Sequence, residues 1–278
     1  MSCGPLLLVD GHNLLFRAWY GFPARIWSRD KARDLTGVFG FLALLRAGLR
    51  DNLSGQPEVI VVFDGENGPA ARRAAEPGYK STRPQGTPEP VKALPDVKRS
   101  LDACQFTWAE IWDAEADDVI ATLAAQAPGQ VIIMSGDKDF YQLASNRVRI
   151  LNTARRAGHR LIGPAEVTAR YGVAPARWPD YRALTGDPAD DIPGIRSIGP
   201  KTAAALLKGG TSLEELRDSA ALTGCRRQAV TANWDKLLAS RDIIRLNDKV
   251  PLGSTAVTGQ PTAPMPRAAE ILDALGLW

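Results

Sequence analysis

The sequence predicts an α/β fold, a doubly wound and mostly parallel sheet followed by a C-terminal helical region. Three observations carry this. Continuous apolar runs recur along the first half, as in strands covered on both faces. Stretches with helical spacing separate them, and from about residue 203 to 246 the pattern is mainly helical.

The first run, "LLLVD", ends at Asp10; the second, "VIVVFD", ends at Asp64; the third, "VIIMSGDKD", carries Asp137 and Asp139. Helical spacing covers roughly 36–50 and 114–127. Ligands of such sheets bind beyond the carboxyl ends of the strands, so these four acids should converge on one edge. The helix starting near residue 114 follows "FTWAEIWD" and brings Glu115, Asp117 and Asp118 to the same edge, with Asp113 expected as its N-cap. One or two acids at a helix start offset the macrodipole. Seven carboxylates at one edge would raise each other's pKa unless cations sit among them. With no histidine cluster or thiol pair nearby, the expected cations are Mg²⁺ or Mn²⁺ rather than zinc.

Between Asp64 and the acidic helix lies "ARRAAEPGYKSTRPQGTPEPVKALPDVKRS", with five prolines, many basic residues and weak periodicity. A loop this long in a compact domain is expected to be functional, here as a mobile cationic segment over the acidic edge. Further on, Asp187, Asp190 and Asp191 precede "GIRSIG", from Gly194 to Gly199, followed by Pro200, Lys201 and Thr202. That pattern fits a hairpin between helices whose glycines admit a phosphate to the backbone, with a helix N-terminus and Lys201 behind it. Trp234, Leu237 and Leu238 are expected in the core, residues 250–267 are rich in Pro, Thr and Gly, and "RAAEILDALGLW" reads as a closing helix. There is no internal repeat.

The 278 residues, 45% hydrophobic and 23% charged, suit a globular protein with one large unit and a smaller one. Cys3, Cys104 and Cys225 form neither a disulfide framework nor a zinc motif, which favours a reducing, cytoplasmic setting. The opening segment lacks a basic n-region, and no apolar run approaches a membrane span.

"LLLVDGHNLLFRAWY", "VVFDG…GYKSTRPQGTPEP", "AEADDVIATLA", "SGDKDFYQL" and "LTGDPADDIPGIRSIGPKTA" resemble, in order, the 5′-nuclease domain of bacterial DNA polymerase I and its flap endonuclease relatives. The match covers roughly residues 5–250, and the chain looks like a free-standing member. The resemblance implies a PIN-like catalytic domain over 1–182, with an arch at about 72–95. It implies a helix–three-turn–helix DNA-binding region with C-terminal helices over 183–278. By the same resemblance, Asp10, Asp64, Glu115 and Asp117 hold a first metal. Asp137, Asp139, Asp187 and Asp190 surround a second, with Asp118 nearby. Two ions about 4 Å apart activate water and stabilise the leaving oxygen. Asp10, Asp117 and Asp139 are thus expected in catalysis, with Lys80 and Arg83 on the scissile phosphate. Arg72 is expected as a further phosphate contact and Tyr20 as a base-stacking residue. Gly194, Ile195, Gly199, Lys201 and Thr202 would clamp duplex phosphates, with K⁺ on the hairpin 194–199. His12 and His159 are expected to be structural or surface residues. The chain departs from the family in two places: Ala71 precedes the arch arginine where an aromatic is usual, and Asp191 replaces the usual Asn.

The expected activity is that of a structure-selective 5′ nuclease, a 5′-3′ exonuclease and flap endonuclease of primer removal and DNA repair. It would act as a monomer on 5′ flaps, nicked or gapped duplex and RNA-primed ends, without a membrane. The net charge of +3 conceals this, because removing nine metal-site acids from 31 leaves 22 against 34 basic residues. Two alternatives stand beside it. A PIN-type ribonuclease is disfavoured by the duplex-reading hairpin, and a non-catalytic DNA-binding scaffold by the carboxylate set. A strand–Asp phosphatase needs D-x-D, which Asp10-Gly11-His12 does not supply.

Overall fold

A six-stranded sheet with order β3-β2-β1-β4-β5-β6 organises the computed structural model, which describes residues 4–83 and 86–278. Pro84 and Gln85, within the expected arch, and the first three residues, Cys3 included, lie outside the described residues. Strands β1 (Leu6–Asp10), β2 (Glu58–Phe63), β3 (Thr107–Glu110), β4 (Val131–Met134) and β5 (Val148–Leu151) are parallel, and β6 (Leu161–Ile162) is antiparallel to β5. The sheet grows one way from β1 to β3 and the other way from β4 to β6. The switch point therefore lies between β1 and β4, where such folds open a crevice.

Side-chain alternation divides the core between the two faces. Leu7, Val9, Val59 and Val61 pack with α1 (Gly11–Gly21), α2 (Thr36–Asn52) and, past the short α3 (Ala70–Ala75), α4 (Leu94–Ala103). Leu6, Leu8, Ile60 and Val62 pack with α5 (Ala116–Gln126) and the helical region. Double coverage explains why these strands read as unbroken apolar runs. The helical region comprises α6 (Pro164–Tyr171), α7 (Trp178–Thr185), α8 (Pro200–Leu206), α9 (Leu213–Asp218), α10 (Gly224–Ala232) and α11 (Trp234–Ile244). Trp178 anchors it, fully buried and edge-on to Tyr141 and Tyr171. Leu237 is buried, with Trp234 and Leu238 packed partly buried beside the same core.

Residues 245–267 return along the sheet. At its amino end the buried Glu58 carboxylate accepts from the Thr258 amide and hydroxyl and from the Gly259 amide. The Thr262 hydroxyl accepts from the Val59 amide. The closing helix α12 (Ala268–Ala274) then seats Ile271 and Leu272 in the cluster that holds Leu7 and Phe41. The last segment, grouped by sequence with the helical region, thus packs against the sheet domain instead. No described helix is long and apolar enough to cross a membrane.

Two local expectations change. The N-cap position of α5 belongs to Glu115, not Asp113, and it makes no side-chain capping bond. Its carboxylate is drawn across to Arg72 and Lys80 instead of its own backbone. The described arch also carries more structure than its weak periodicity suggests. It contains α3, a 3₁₀ turn at Glu89–Ala93, and a segment around Tyr79–Arg83 hydrogen-bonded to the 187–191 loop.

Candidate active site

Asp10 ends β1 beside the switch point and caps α1: Oδ1 accepts from the Asn13 amide at 3.0 Å and Oδ2 from the Ser135 hydroxyl at 2.8 Å. Burial pushes its pKa up to about 7 against those hydrogen bonds, with help from the Asp64 charge. Asp64, at the end of β2, accepts from the Ala116 amide at 2.8 Å and so fixes the start of α5. Its own amide donates to His12 Nδ1 at 3.1 Å, which gives His12 a positioning job at the site. Gly65 is required here: a side chain would collide with the Ile111 and Trp112 carbonyls, and its amide donates to Ala114.

The expected carboxylates fall into two groups. In the first, Arg72 reaches from α3 into the cluster, paired with Glu115, 2.7 Å from Asp118 and 3.5 Å from Asp117. Its Nε donates to the Ile243 carbonyl. Lys80 pairs with Glu115 and the Tyr79 hydroxyl donates to it at 3.1 Å. Burial opposes the Arg72 charge, but Asp117, Asp118 and Glu115 outweigh it and hold the guanidinium above its usual range. Burial likewise opposes ionisation of Glu115, yet Lys80 and Arg72 keep its pKa below the ordinary value. Burial raises Asp117 and Asp118 in spite of Arg72. Arg72, expected on a DNA phosphate, is therefore an internal counter-ion in this state, with a side chain only 12% exposed.

The second group gathers Asp139, Asp187 and Asp190, each offering an oxygen within 4.8 Å of the others. Asp139 opens the 3₁₀ turn after β4, and Asp187 and Asp190 sit on a loop closed by bonds between Asp187 and Ile192. Burial and the charge of Asp137 push Asp139 up to about 7. Arg182 on α7 pairs with Asp187 and lies 3.9 Å from Asp139, and the Arg83 guanidinium contacts Asp190 at 2.9 Å. Sequence reasoning missed Arg182; its signal was a lone cation among Trp178, Tyr181 and Leu184, five residues before Asp187. Tyr79 was missed as well.

All of these donors are carboxylate oxygens, and burial disfavours Asp10, Asp117, Asp118, Asp139 and Asp190 as anions, so the set fits hard divalent cations. Asp139, Asp187 and Asp190 lie closest together; Arg182 pairs with Asp187 and Arg83 with Asp190, which leaves Asp139 with only the shared Arg182 at 3.9 Å.

The hairpin forms as expected, with Ile195 donating to the Leu184 carbonyl and Ile198 buried. Its two glycines differ. The space a Gly194 side chain would need is filled by Thr185 and Gly186, so packing accounts for this glycine, where the sequence reading gave it to phosphate. A Cβ at Gly199 would meet nothing within 4 Å, so this side of its backbone is open. The amides of Lys201 and Thr202 at the start of α8 have no acceptor among the described residues. Tyr20, on the last turn of α1, is 70% exposed.

Residues 5–172 match the model of the 5′-3′ exonuclease N-terminal resolvase-like domain, and residues 173–265 that of the 5′-3′ exonuclease C-terminal SAM fold. The chain is 37% identical over 254 residues to the thermostable DNA polymerase I of Thermus thermophilus, covering 90% of this chain and 29% of that protein. It is 40% identical over 219 residues to DNA polymerase I of Deinococcus radiodurans, covering 77% of this chain and 22% of the relative. It thus spans less than a third of the length of these relatives. Among solved structures, the T5 D15 flap endonuclease in a pseudo-enzyme–product complex with DNA and metal ions shares the fold. Its TM-score is 0.65 at 20% identity, over 87% of this chain and 89% of that one. The sheet topology, the carboxylate edge and these two contiguous matches together place the chain in the 5′-3′ exonuclease family.

Proposed function

We propose that the protein is a structure-selective 5′ nuclease, acting as 5′-3′ exonuclease and 5′-flap endonuclease on DNA in primer removal and repair. The observation that carries this is the convergence of two carboxylate groups on one sheet edge with Lys80 and Arg83 already seated against them. Asp10, Asp64, Glu115 and Asp117 would hold one Mg²⁺ or Mn²⁺, and Asp137, Asp139, Asp187 and Asp190 a second, with Asp118 through water. Ions bound there supply an activated water and charge stabilisation for the leaving oxygen.

The chain's own residues do the rest. Lys80 and Arg83 exchange Glu115 and Asp190 for the scissile phosphate and stabilise its growing charge. His12 and the Ala116 amide hold Asp64 in place, and Asn13 and Ser135 hold Asp10. Arg72 is a phosphate contact only once it leaves Glu115, Asp117 and Asp118. Duplex binding rests on Gly199, Ile195, Lys201 and Thr202, with Gly194 shaping the hairpin and K⁺ on its carbonyls. Tyr20 offers an exposed ring for a base near the cut. The substrates are 5′ flaps, nicked or gapped duplexes and RNA-primed ends, met by a cytoplasmic monomer. The sheet unit, 1–182, carries the chemistry and the helical unit beyond it the duplex. Cleavage of a labelled 5′ flap with Mg²⁺ or Mn²⁺ tests this reading. Preference for single-stranded RNA would favour a PIN-type ribonuclease, and binding without cleavage a scaffold.

A further inference from the structure

We propose that Asp191 is a positioning residue, which sets the arch cations Lys80 and Arg83 over the carboxylate edge by gripping Thr82. The inference rests on the nuclease reading above. Both Asp191 oxygens accept from the Thr82 hydroxyl, at 2.8 and 2.9 Å, and Oδ2 also accepts from the Thr82 amide at 2.9 Å. Beside this clip the Lys80 amide donates to the Asp190 carbonyl at 3.1 Å, and Arg83 reaches the Asp190 carboxylate. Thr82 is thus pinned between the two cations that the chemistry needs.

The anchor is held by its own close contacts. Asp187 and Ile192 bond each other in both directions, at 2.7 and 2.9 Å. Asp187 Oδ1 also accepts from the Ala189 amide, and Gly186 packs against Gly194 so closely that neither admits a side chain. The loop that offers Asp187 and Asp190 to a metal therefore offers Asp191, one residue on, to the arch. Both sides of the clip hold an unusual backbone: Lys80 and Asp191 are non-glycine residues in the left-handed region, with φ of 53° and 57°. Such conformations persist only where surrounding contacts over-determine them. The clip supplies those contacts and registers the arch on the loop, so a displaced arch would misplace Lys80 and Arg83 together.

Charge and geometry separate cleanly, because Asp191→Ala and Asp191→Asn remove the same charge while only Asn keeps an acceptor for Thr82. Steady-state cleavage of a labelled 5′ flap with Mg²⁺ by the full chain should show Asp191→Ala losing about tenfold or more in kcat, with KM unchanged or lower. Asp191→Asn should stay within about threefold of wild type. Thr82→Val, which keeps the backbone bond, should fall between them, and combining it with Asp191→Ala should add little. In DNA-free protein, trypsin should cut after Lys80 faster in Asp191→Ala than in Asp191→Asn. Equal kinetics for Ala and Asn, or a loss confined to KM, would overturn the positioning role. A wild-type chain that cut no flap would end the nuclease reading instead. Equal trypsin rates in the two variants would still sink the clip.

Discussion

Glu115 and Asp139 are both mostly buried carboxylates at one sheet edge, yet their acidities move in opposite directions. Burial disfavours the charge of each. At Glu115 two protein cations, Lys80 and Arg72, override burial and hold the acid ionised. At Asp139 the neighbours include Asp137, Asp187 and Asp190, and the one nearby cation, Arg182, is shared with Asp187 and does not offset burial. The first group therefore carries its own counter-ions, which substrate or metal must displace. The second engages Arg182 at Asp187 and Arg83 at Asp190 and leaves Asp139 without a cation of its own, so Asp139 is where an external cation gains most.

The largest test acts on the second group. Asp139→Ala should reduce flap cleavage by at least on the order of 10²- to 10³-fold, the scale of losing one preorganised electrostatic group. Flap affinity should hold or rise, since an acid facing phosphate is gone. Cleavage at wild-type rate in Mg²⁺ would erase the distinction. In the first group, Arg72→Gln should leave Asp117 and Asp118 without their internal cation and Glu115 with Lys80 alone, a loss of about 3–5 kcal/mol for breaking a buried pair. Thermal unfolding in EDTA should show that loss, and added Mg²⁺ should restore more in the variant than in wild type.

A pH series sharpens the contrast. Asp10 and Asp139 titrate near pH 7 when folded and near 3.8 when unfolded, so between those values the folded chain binds more protons. Stability in EDTA should then fall as pH rises from about 4 to about 7, by up to a few kcal/mol. Glu115, with its depressed pKa, contributes the opposite slope. Urea midpoints measured across this range should flatten in Asp139→Ala, and an unchanged profile would contradict the assignment. The smallest effect belongs to a residue outside both groups. Lys201→Ala should weaken duplex binding and reduce its salt slope by about one unit, with little change in cleavage at saturating DNA.

The strands that end in Asp10 and Asp64 were legible because double coverage leaves continuous apolar runs. β3 was not, since it lies at the sheet's edge and Thr107 and Glu110 face solvent. Nor was β6, which has only two residues. The acids were readable from their places at strand ends, whereas their partners were not. Arg72 meets Glu115 across 43 positions and Thr82 meets Asp191 across 109, and no local period encodes such pairings. An arginine in a basic stretch looks like a phosphate ligand until the fold turns it inward. Gly194 and Gly199 read alike in sequence, and only the backbone of Thr185 and Gly186 tells them apart.

The return of the chain to the sheet also orders events during synthesis. Leu272 shares a cluster with Phe41 of α2, so the helices that cover this face of the sheet lack their own outer cover until α12 emerges. At roughly 5–20 residues per second, that cover follows Phe41 by on the order of ten to forty seconds. Through that interval the apolar backs of α2 and α4 stay open to other chains, and the helical region completes its translation first. The nascent protein thus carries a finished helical region beside a helix layer that α12 has yet to cover, and α12 shields that layer last.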